Sequence, residues 1–212
     1  MSTPEFKEFT TNIDYARKLI VGGRALEGLH GLSAVVNYGD LTSADPADLY
    51  RAAWSQAVAA LDHWMHQALI NRIIRLTNDS GNTRPRHLNQ IKIPFEVAEQ
   101  MHDSTIESVL RKFLREELSR TSYQSPRRIT EGLQLVTGDT PSAIWNKIGD
   151  RIGQSADAVK DRQDQIVNRR NRIAHHADLD QGGNRVSMSA AEAEATVQWI
   201  NDIAGAISHL LR

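Results

Sequence analysis

The stretch Asn168 to Asp178, NRRNRIAHHAD, concentrates side chains that can transfer protons and bind anions. It contains three arginines, two asparagines and two adjacent histidines. A histidine beside arginines at a helix C-terminus is suited to acid and base work, because like charge disfavours the imidazolium and the helix end favours it. The stretch is therefore either a solvated helix surface or a site for proton transfer.

Helical spacing divides these side chains between two sides of one helix. Apolar residues recur along it every seven positions, at Ile152, Val159, Ile166 and Ile173. At about 100° per residue, Arg170 lies ~40° from Ile166, inside the apolar stripe. Asn171 and His175 follow at ~140° and ~180°, at the edge of the stripe. The other three basic residues point to the opposite side and are Arg169, Arg172 and His176.

A second polar residue falls on an apolar stripe, in the segment RAAWSQAVAALDHWMHQALINRII. Asp62 lies ~40° from Val58 on this helix. A buried carboxylate needs a cation or hydrogen-bond donors. Arg170 is a cation on an apolar stripe and needs an acidic partner. We therefore predict that Asp62 faces Arg170. The pair would either support a site or serve only as an ion pair that fixes helix register.

The elements that position these residues are helices. Capping residues precede prolines at four points, Thr3-Pro4, Asp45-Pro46, Ser125-Pro126 and Thr140-Pro141, and capping boxes begin at Ser104 and Ser189. The spacing predicts helices over 5–21, 24–37, 46–77, 94–121 with a break near Asp103, 126–136, 141–152, 155–176 and 189–211. Loops are expected at Gly22-Gly23, Ser80 to Ile93 and Asp178 to Asn184. The fold class predicted is all-α, most simply a helical bundle.

Composition limits the class of protein. The chain has 212 residues, 40% of them hydrophobic and 24% charged, which is typical of a single globular domain over 1–212. The absence of cysteine excludes disulfides and thiolate zinc sites. A net charge of -1 argues against a surface that coats nucleic acid but leaves a local basic pocket open. No signal peptide, membrane span or metal-ligand spacing is apparent, so we expect a cytoplasmic protein with no metal or cofactor.

The hexapeptide Arg170-Asn171-Arg172-Ile173-Ala174-His175 resembles the R-N-x-x-x-H form of the RxxxxH motif of HEPN domains, a superfamily of helical ribonucleases. The helix around Asp62 and the segments IDYARKLI and RALEGLHGL are similar to the RiboL-PSP-HEPN subgroup. No counterpart is evident for residues 80 to 140. The resemblance therefore implies a HEPN-type bundle with extra helices, or an insertion, at about 80–140.

Membership would imply a metal-independent endoribonuclease of toxin or antiviral defence systems. The RNA 2′-hydroxyl attacks the adjacent phosphate in such enzymes, which leaves a 2′,3′-cyclic phosphate. His175 would then move a proton, Arg170 would neutralise charge on the phosphorane, and Asn171 would orient His175 or hold a phosphate oxygen. Asp62 would support Arg170. Three residues would contact RNA, namely Arg169, Arg172 and His176.

The same resemblance implies partners. It predicts RNA as substrate, a homodimer with the motif helices at its interface, and an antitoxin or sensor protein as regulator. Two alternatives remain open on sequence alone. One is a non-catalytic HEPN-like module that binds RNA or a partner protein, and the other is a helical adaptor that contacts no nucleic acid.

Overall fold

A computed structural model describes residues 3–32, 39, 43–79, 81 and 84–211. It confirms the all-α prediction, with no strand in these described ranges. The helices are α1 (Pro4–Leu32), α2 (Pro46–Asn78), α3 (Phe95–Asp103), α4 (Ile106–Leu118), α5 (Pro126–Thr137), α6 (Pro141–Ile152), α7 (Ala156–His176) and α8 (Ala190–Leu210). A 3-10 turn spans Leu88–Gln90. Residues 33–37 of the predicted second helix lie outside the described residues.

The predicted cap-and-proline starts are confirmed at Pro4, Pro46, Pro126 and Pro141. Ser125 accepts a hydrogen bond from the backbone N–H of Arg128, and Thr140 accepts one from Ala143. The caps satisfy N–H groups that have no partner in the first turn of a helix. Short polar side chains before prolines therefore begin α5 and α6 where the sequence predicts.

One of the two predicted capping boxes is confirmed and the other is wrong. The Ser189 N–H and hydroxyl both donate to Glu192 Oε2, at 2.8 and 2.7 Å. These two hydrogen bonds lower the pKa of Glu192, and the backbone contribution is the larger. The box predicted at Ser104 does not form, because Thr105 caps α4 by accepting from the Ser108 N–H. Two neighbouring hydroxyl residues compete there, and the later one takes the capping position.

The chain divides into two compact units. Unit 1 comprises Met1–Leu61 and Asp164–Asp202, and unit 2 comprises Asp62–Gln163 and Ile203–Arg212. The 80–140 segment that has no counterpart in the family pattern belongs to unit 2. In the described ranges, no helix is both long and apolar enough to cross a membrane.

Helix α1 is continuous where a loop was predicted. Gly22 and Gly23 are both helical, and Gly23 is buried against the ring of Tyr50 in unit 1. A Cβ atom on Gly23 would lie 2.3 Å from Tyr50 Cε1, closer than any real contact. The glycine pair therefore does not break α1, because one member allows an aromatic ring to approach the helix backbone.

We predict that Gly23→Ala destabilises the protein by roughly 1–3 kcal/mol, since the buried Tyr50 ring has to move. Gly28→Ala is the matched control on the same helix, because a Cβ there meets nothing within 4 Å. Gly28→Ala should stabilise by about 0.5–1 kcal/mol through better helix propensity. Denaturant unfolding of both variants measures the difference, and equal effects would contradict the proposed close approach.

Candidate functional site

The candidate motif ends in a sharp reversal of the chain. Helix α7 stops at His176, and the next two residues, Ala177 and Asp178, are left-handed with φ of 47° and 56°. The Asp178 N–H donates to the Arg172 carbonyl at 3.0 Å, which closes the last turn. Left-handed backbone is strained for residues other than glycine, so surrounding contacts must hold it.

Asp178 is the residue that holds the reversal. Its side chain is fully buried, and its Oδ2 accepts hydrogen bonds from Arg51 Nε at 3.1 Å and Arg169 Nη2 at 2.7 Å. The other oxygen, Oδ1, is buried without a hydrogen-bond partner. A buried carboxylate is tolerated only when opposite charge compensates the loss of water. The two guanidinium groups supply that charge.

The same arginines bind the segment that follows the reversal. Arg51 Nη2 donates to the Val186 carbonyl at 2.8 Å, and Arg169 Nη2 donates to the Ser187 carbonyl at 3.0 Å. The Val186 N–H returns a hydrogen bond to the Asp178 carbonyl at 2.9 Å. We call Arg51, Asp178 and Arg169 the buried triad. It joins α2, the end of α7 and the loop before α8 within unit 1.

Arg51 remains charged within the triad. Burial opposes its charge, but hydrogen bonds from its guanidinium to Asp178 and Asp48 outweigh that effect and raise the pKa of Arg51 above its ordinary value. Asp48 also contacts Arg185 in the loop before α8. Asp45 lies 3.5 Å from Arg51 Nη1, so five charged side chains besides Arg169 are connected at the end of α7.

Arg51 and Asp178 are positioning residues that the sequence patterns above do not identify. A signal for Arg51 was available, because it precedes Val58 by seven positions and lies ~20° from it, on the apolar stripe of α2. Like Asp62, Arg51 is a charged residue on the apolar stripe of α2 and therefore needs a partner. Asp178 gives no comparable signal, since it is a loop residue whose burial depends on contacts distant in sequence.

Arg169 does not face solvent as helical phase predicted. Its side chain is only 15% exposed and is hydrogen-bonded to Asp178 and to two backbone carbonyls. The prediction failed because the loop after α7 folds back over the side of the helix that the phase argument assigned to solvent. We therefore no longer include Arg169 among the candidate phosphate contacts.

Arg170 and Asn171 form a local pair. Arg170 Nη1 donates to Asn171 Oδ1 at 3.2 Å, and both residues are half-buried. Arg170 does not occupy the centre of a buried stripe as predicted, because the apolar burial of α7 ends at Val167 and the following Ile173 is only half-buried. The guanidinium of Arg170 retains donors that can reach an external anion.

The remaining motif residues are exposed on the last turns of α7. These are Arg172, His175 and His176. Helical phase predicted His175 at the edge of the buried stripe, whereas both histidines are exposed. In unit 1, the motif thus presents an arginine–asparagine pair followed by an exposed imidazole.

Asp62 does not need Arg170, because donors within unit 2 satisfy its carboxylate. The Tyr123 N–H donates to Oδ1 at 2.5 Å, and Gln124 Nε2 donates to Oδ2 at 3.0 Å. The side chain is half-buried rather than central, at 21% exposure. A phase measured from Val58 does not identify these donors, because α2 is buried around most of its circumference.

His66 completes the arrangement around Asp62. Its Nδ1 lies 2.8 Å from the Asp62 carbonyl, and its Nε2 lies 3.0 Å from the Thr121 carbonyl and 3.1 Å from that of Leu118. Together, Asp62 and His66 bind the connection between α4 and α5. Their contacts are those of residues that fix a loop on α2. Within the described ranges, no three histidine or acidic side chains form a group that could hold a metal ion.

A comparison with protein-family models, curated proteins and solved structures finds no match to this chain.

We predict that Asp178→Ala destabilises the protein by roughly 3–5 kcal/mol, because it leaves Arg169 without a carboxylate partner and removes the buried acceptor of Arg51 Nε. Asp161→Ala, at an exposed aspartate of α7, is the control and should change stability by less than about 0.5 kcal/mol. Thermal and denaturant unfolding provide the measurement. A loss below about 1 kcal/mol for Asp178→Ala would show that the triad does not hold the reversal.

Proposed function

We propose that the protein is a metal-independent endoribonuclease of the HEPN type, with its active site at the end of α7. The observation that supports this is the local arrangement of the motif. An exposed imidazole, His175, follows the Arg170–Asn171 pair on a helix end that the buried triad holds in place. A base and a phosphate-binding guanidinium on the same helix end are what cleavage at a phosphodiester requires.

The reaction proposed is transesterification within RNA. The 2′-oxygen forms a bond to the adjacent phosphorus while the bond from phosphorus to the 5′-oxygen breaks. One imidazole removes the proton of the 2′-hydroxyl, and a protonated group donates a proton to the departing 5′-oxygen. In the proposed homodimer, the two copies of His175 take these two roles. The products are a 2′,3′-cyclic phosphate and a 5′-hydroxyl.

The neighbouring residues have distinct roles in this proposal. Arg170 neutralises charge on the phosphorane oxygens, and Asn171 keeps the guanidinium oriented through their hydrogen bond. Exposed Arg172 and His176 contact the RNA backbone. Asp178 acts as a positioning residue, because it determines where the last turn of α7 ends.

A non-catalytic RNA-binding module is the second candidate. The exposure of Arg172 and His176 beside the motif favours it, since both can contact phosphates without any chemistry. Turnover of RNA distinguishes this module from the proposed enzyme.

The proposed enzyme acts in the cytoplasm as a toxin or antiviral effector, with an antitoxin or sensor protein as regulator.

We predict that purified protein cleaves total cellular RNA in EDTA and leaves 2′,3′-cyclic phosphate ends. His175→Ala should reduce the rate by roughly 10²–10⁴-fold, the usual contribution of a positioned acid or base. His176→Ala is the comparison variant, because it removes the adjacent exposed imidazole, to which only a backbone contact is assigned, and should lower the rate far less than His175→Ala. End mapping and gel assays provide the readout. Equal activity of wild type and His175→Ala would exclude the assigned mechanism.

We further predict that Arg170→Ala changes the free energy of unfolding by no more than about 1 kcal/mol, because it loses one hydrogen bond to a neutral partner. Cleavage should nevertheless fall sharply, since the phosphorane loses its cation. Unfolding curves recorded beside the RNA assay separate the two effects. A folded Arg170→Ala variant with full activity would remove Arg170 from the active site.

A further inference from the structure

Arg72, near the end of α2 in unit 2, is a half-buried cation without a partner. Its Nε–H group is fully buried and donates to no acceptor within hydrogen-bond distance. Among the residues that the structure describes, Arg72 forms neither a hydrogen bond nor an ion pair. Arginine is rarely buried unless it is paired, because its charge loses water. The environment of Arg72 is therefore unfavourable in the free protein.

A second arginine on the same face of α2 adds to this imbalance. Counted from Asn71, Arg75 lies at ~40°, Asp79 at ~80° and Arg72 at ~100° along the helix surface. The opposite side is buried and contains Ile73 and Ile74, and buried Leu76 lies ~40° from Arg72. Arg72 and Arg75 therefore lie on one side of the last two turns of α2, and exposed Arg75 also donates to the Leu211 carbonyl at 3.3 Å.

Two further arginines reach this end of α2 from other elements. Arg111 of α4 donates to Asn71 Oδ1 at 2.6 Å, and Arg84 donates to the Thr77 carbonyl at 3.4 Å. Arg111 is paired with Glu107 at 3.0 Å. Arginines therefore outnumber acidic residues at this end of α2, where Arg72 lies.

The ionisation of Arg72 reflects the same imbalance. Burial lowers the pKa of Arg72 below its ordinary value, and the charge of Arg75 lowers it further, although Asp79 acts in the opposite direction. The helix dipole favours cations at a C-terminus, but it supplies no acceptor for the Arg72 guanidinium. A bound anion would supply the acceptor and offset both charges.

We propose that Arg72 and Arg75, with Arg111 beside them, form a phosphate-binding site at the end of α2. Guanidinium groups bind phosphate through paired N–H donors. The phosphate is either a phosphodiester of a polynucleotide or a free phosphate ion. The site lies in unit 2, whereas the proposed active site lies in unit 1, and its existence does not depend on any cleavage activity.

The test compares the double variant Arg72→Gln/Arg75→Gln with wild type. Arg120→Gln is the control, because Arg120 is a 74% exposed arginine of unit 2 whose ion pair is with Glu117. One arm measures the melting temperature in inorganic phosphate against chloride of equal ionic strength. The other measures binding of a fluorescent 2′-O-methyl RNA oligonucleotide, which cannot be cleaved through its 2′-oxygen, at several salt concentrations.

For a polynucleotide ligand, the double variant should lower the slope of log affinity against log salt by about 0.7, which is one phosphate contact on a single strand. Its dissociation constant should rise roughly 5-fold at 0.1 M salt, as that slope implies. The control should match wild type. If only the stabilisation by inorganic phosphate is lost, the site exists and its ligand is free phosphate.

The single variant Arg72→Gln distinguishes a binding site from a structural role. Removing a half-buried charge that has no partner should leave the melting temperature of the ligand-free protein unchanged or raise it by roughly 1–4 °C. Phosphate stabilisation should fall in the same variant. The proposal is overturned if both ligands act equally on wild type and double variant, or if Arg72→Gln lowers the melting temperature without changing phosphate stabilisation.

Discussion

The end of α7 depends on one buried carboxylate and the two arginines that compensate its charge. Asp178 has no access to water, and only its Oδ2 atom is hydrogen-bonded, to Arg51 and Arg169. Without these guanidinium groups, the carboxylate would be a charge that the protein interior cannot solvate. Because the three residues come from α2, α7 and the following loop, their electrostatic balance determines the path of the chain in this part of unit 1.

This constraint explains how the motif can be both rigid and exposed. Two consecutive left-handed residues end α7, and such backbone persists only when the surroundings enforce it. Hydrogen bonds from Arg51 to the Val186 carbonyl and from Arg169 to the Ser187 carbonyl hold the following loop against this backbone. His175 is therefore carried on a fixed helix end without being buried, which suits a group that must meet a substrate.

Sequence patterns predict the helices well and the partners of polar residues poorly. Capping residues before prolines identify the starts of α1, α2, α5 and α6, because a cap and its helix are adjacent in the chain. The Gly22–Gly23 pair shows the limit of local reasoning. A glycine pair is typical of a loop, but the packing of Tyr50 against Gly23 retains it within α1. Asp62 shows the same limit, since its donors come from residues about sixty positions away.

The sequence by itself determined the all-α class, the positions of most helices and the presence of an RNxxxH segment near the end of one of them. These follow from local periodicity and capping, which need no distant contact. Only the tertiary structure decided that Arg169 is internal, that Arg170 pairs with Asn171, and that Arg51 and Asp178 hold the helix end. The reason is physical, because the environment of a charged side chain is set by residues that the fold brings together. Periodicity along one helix does not contain that information.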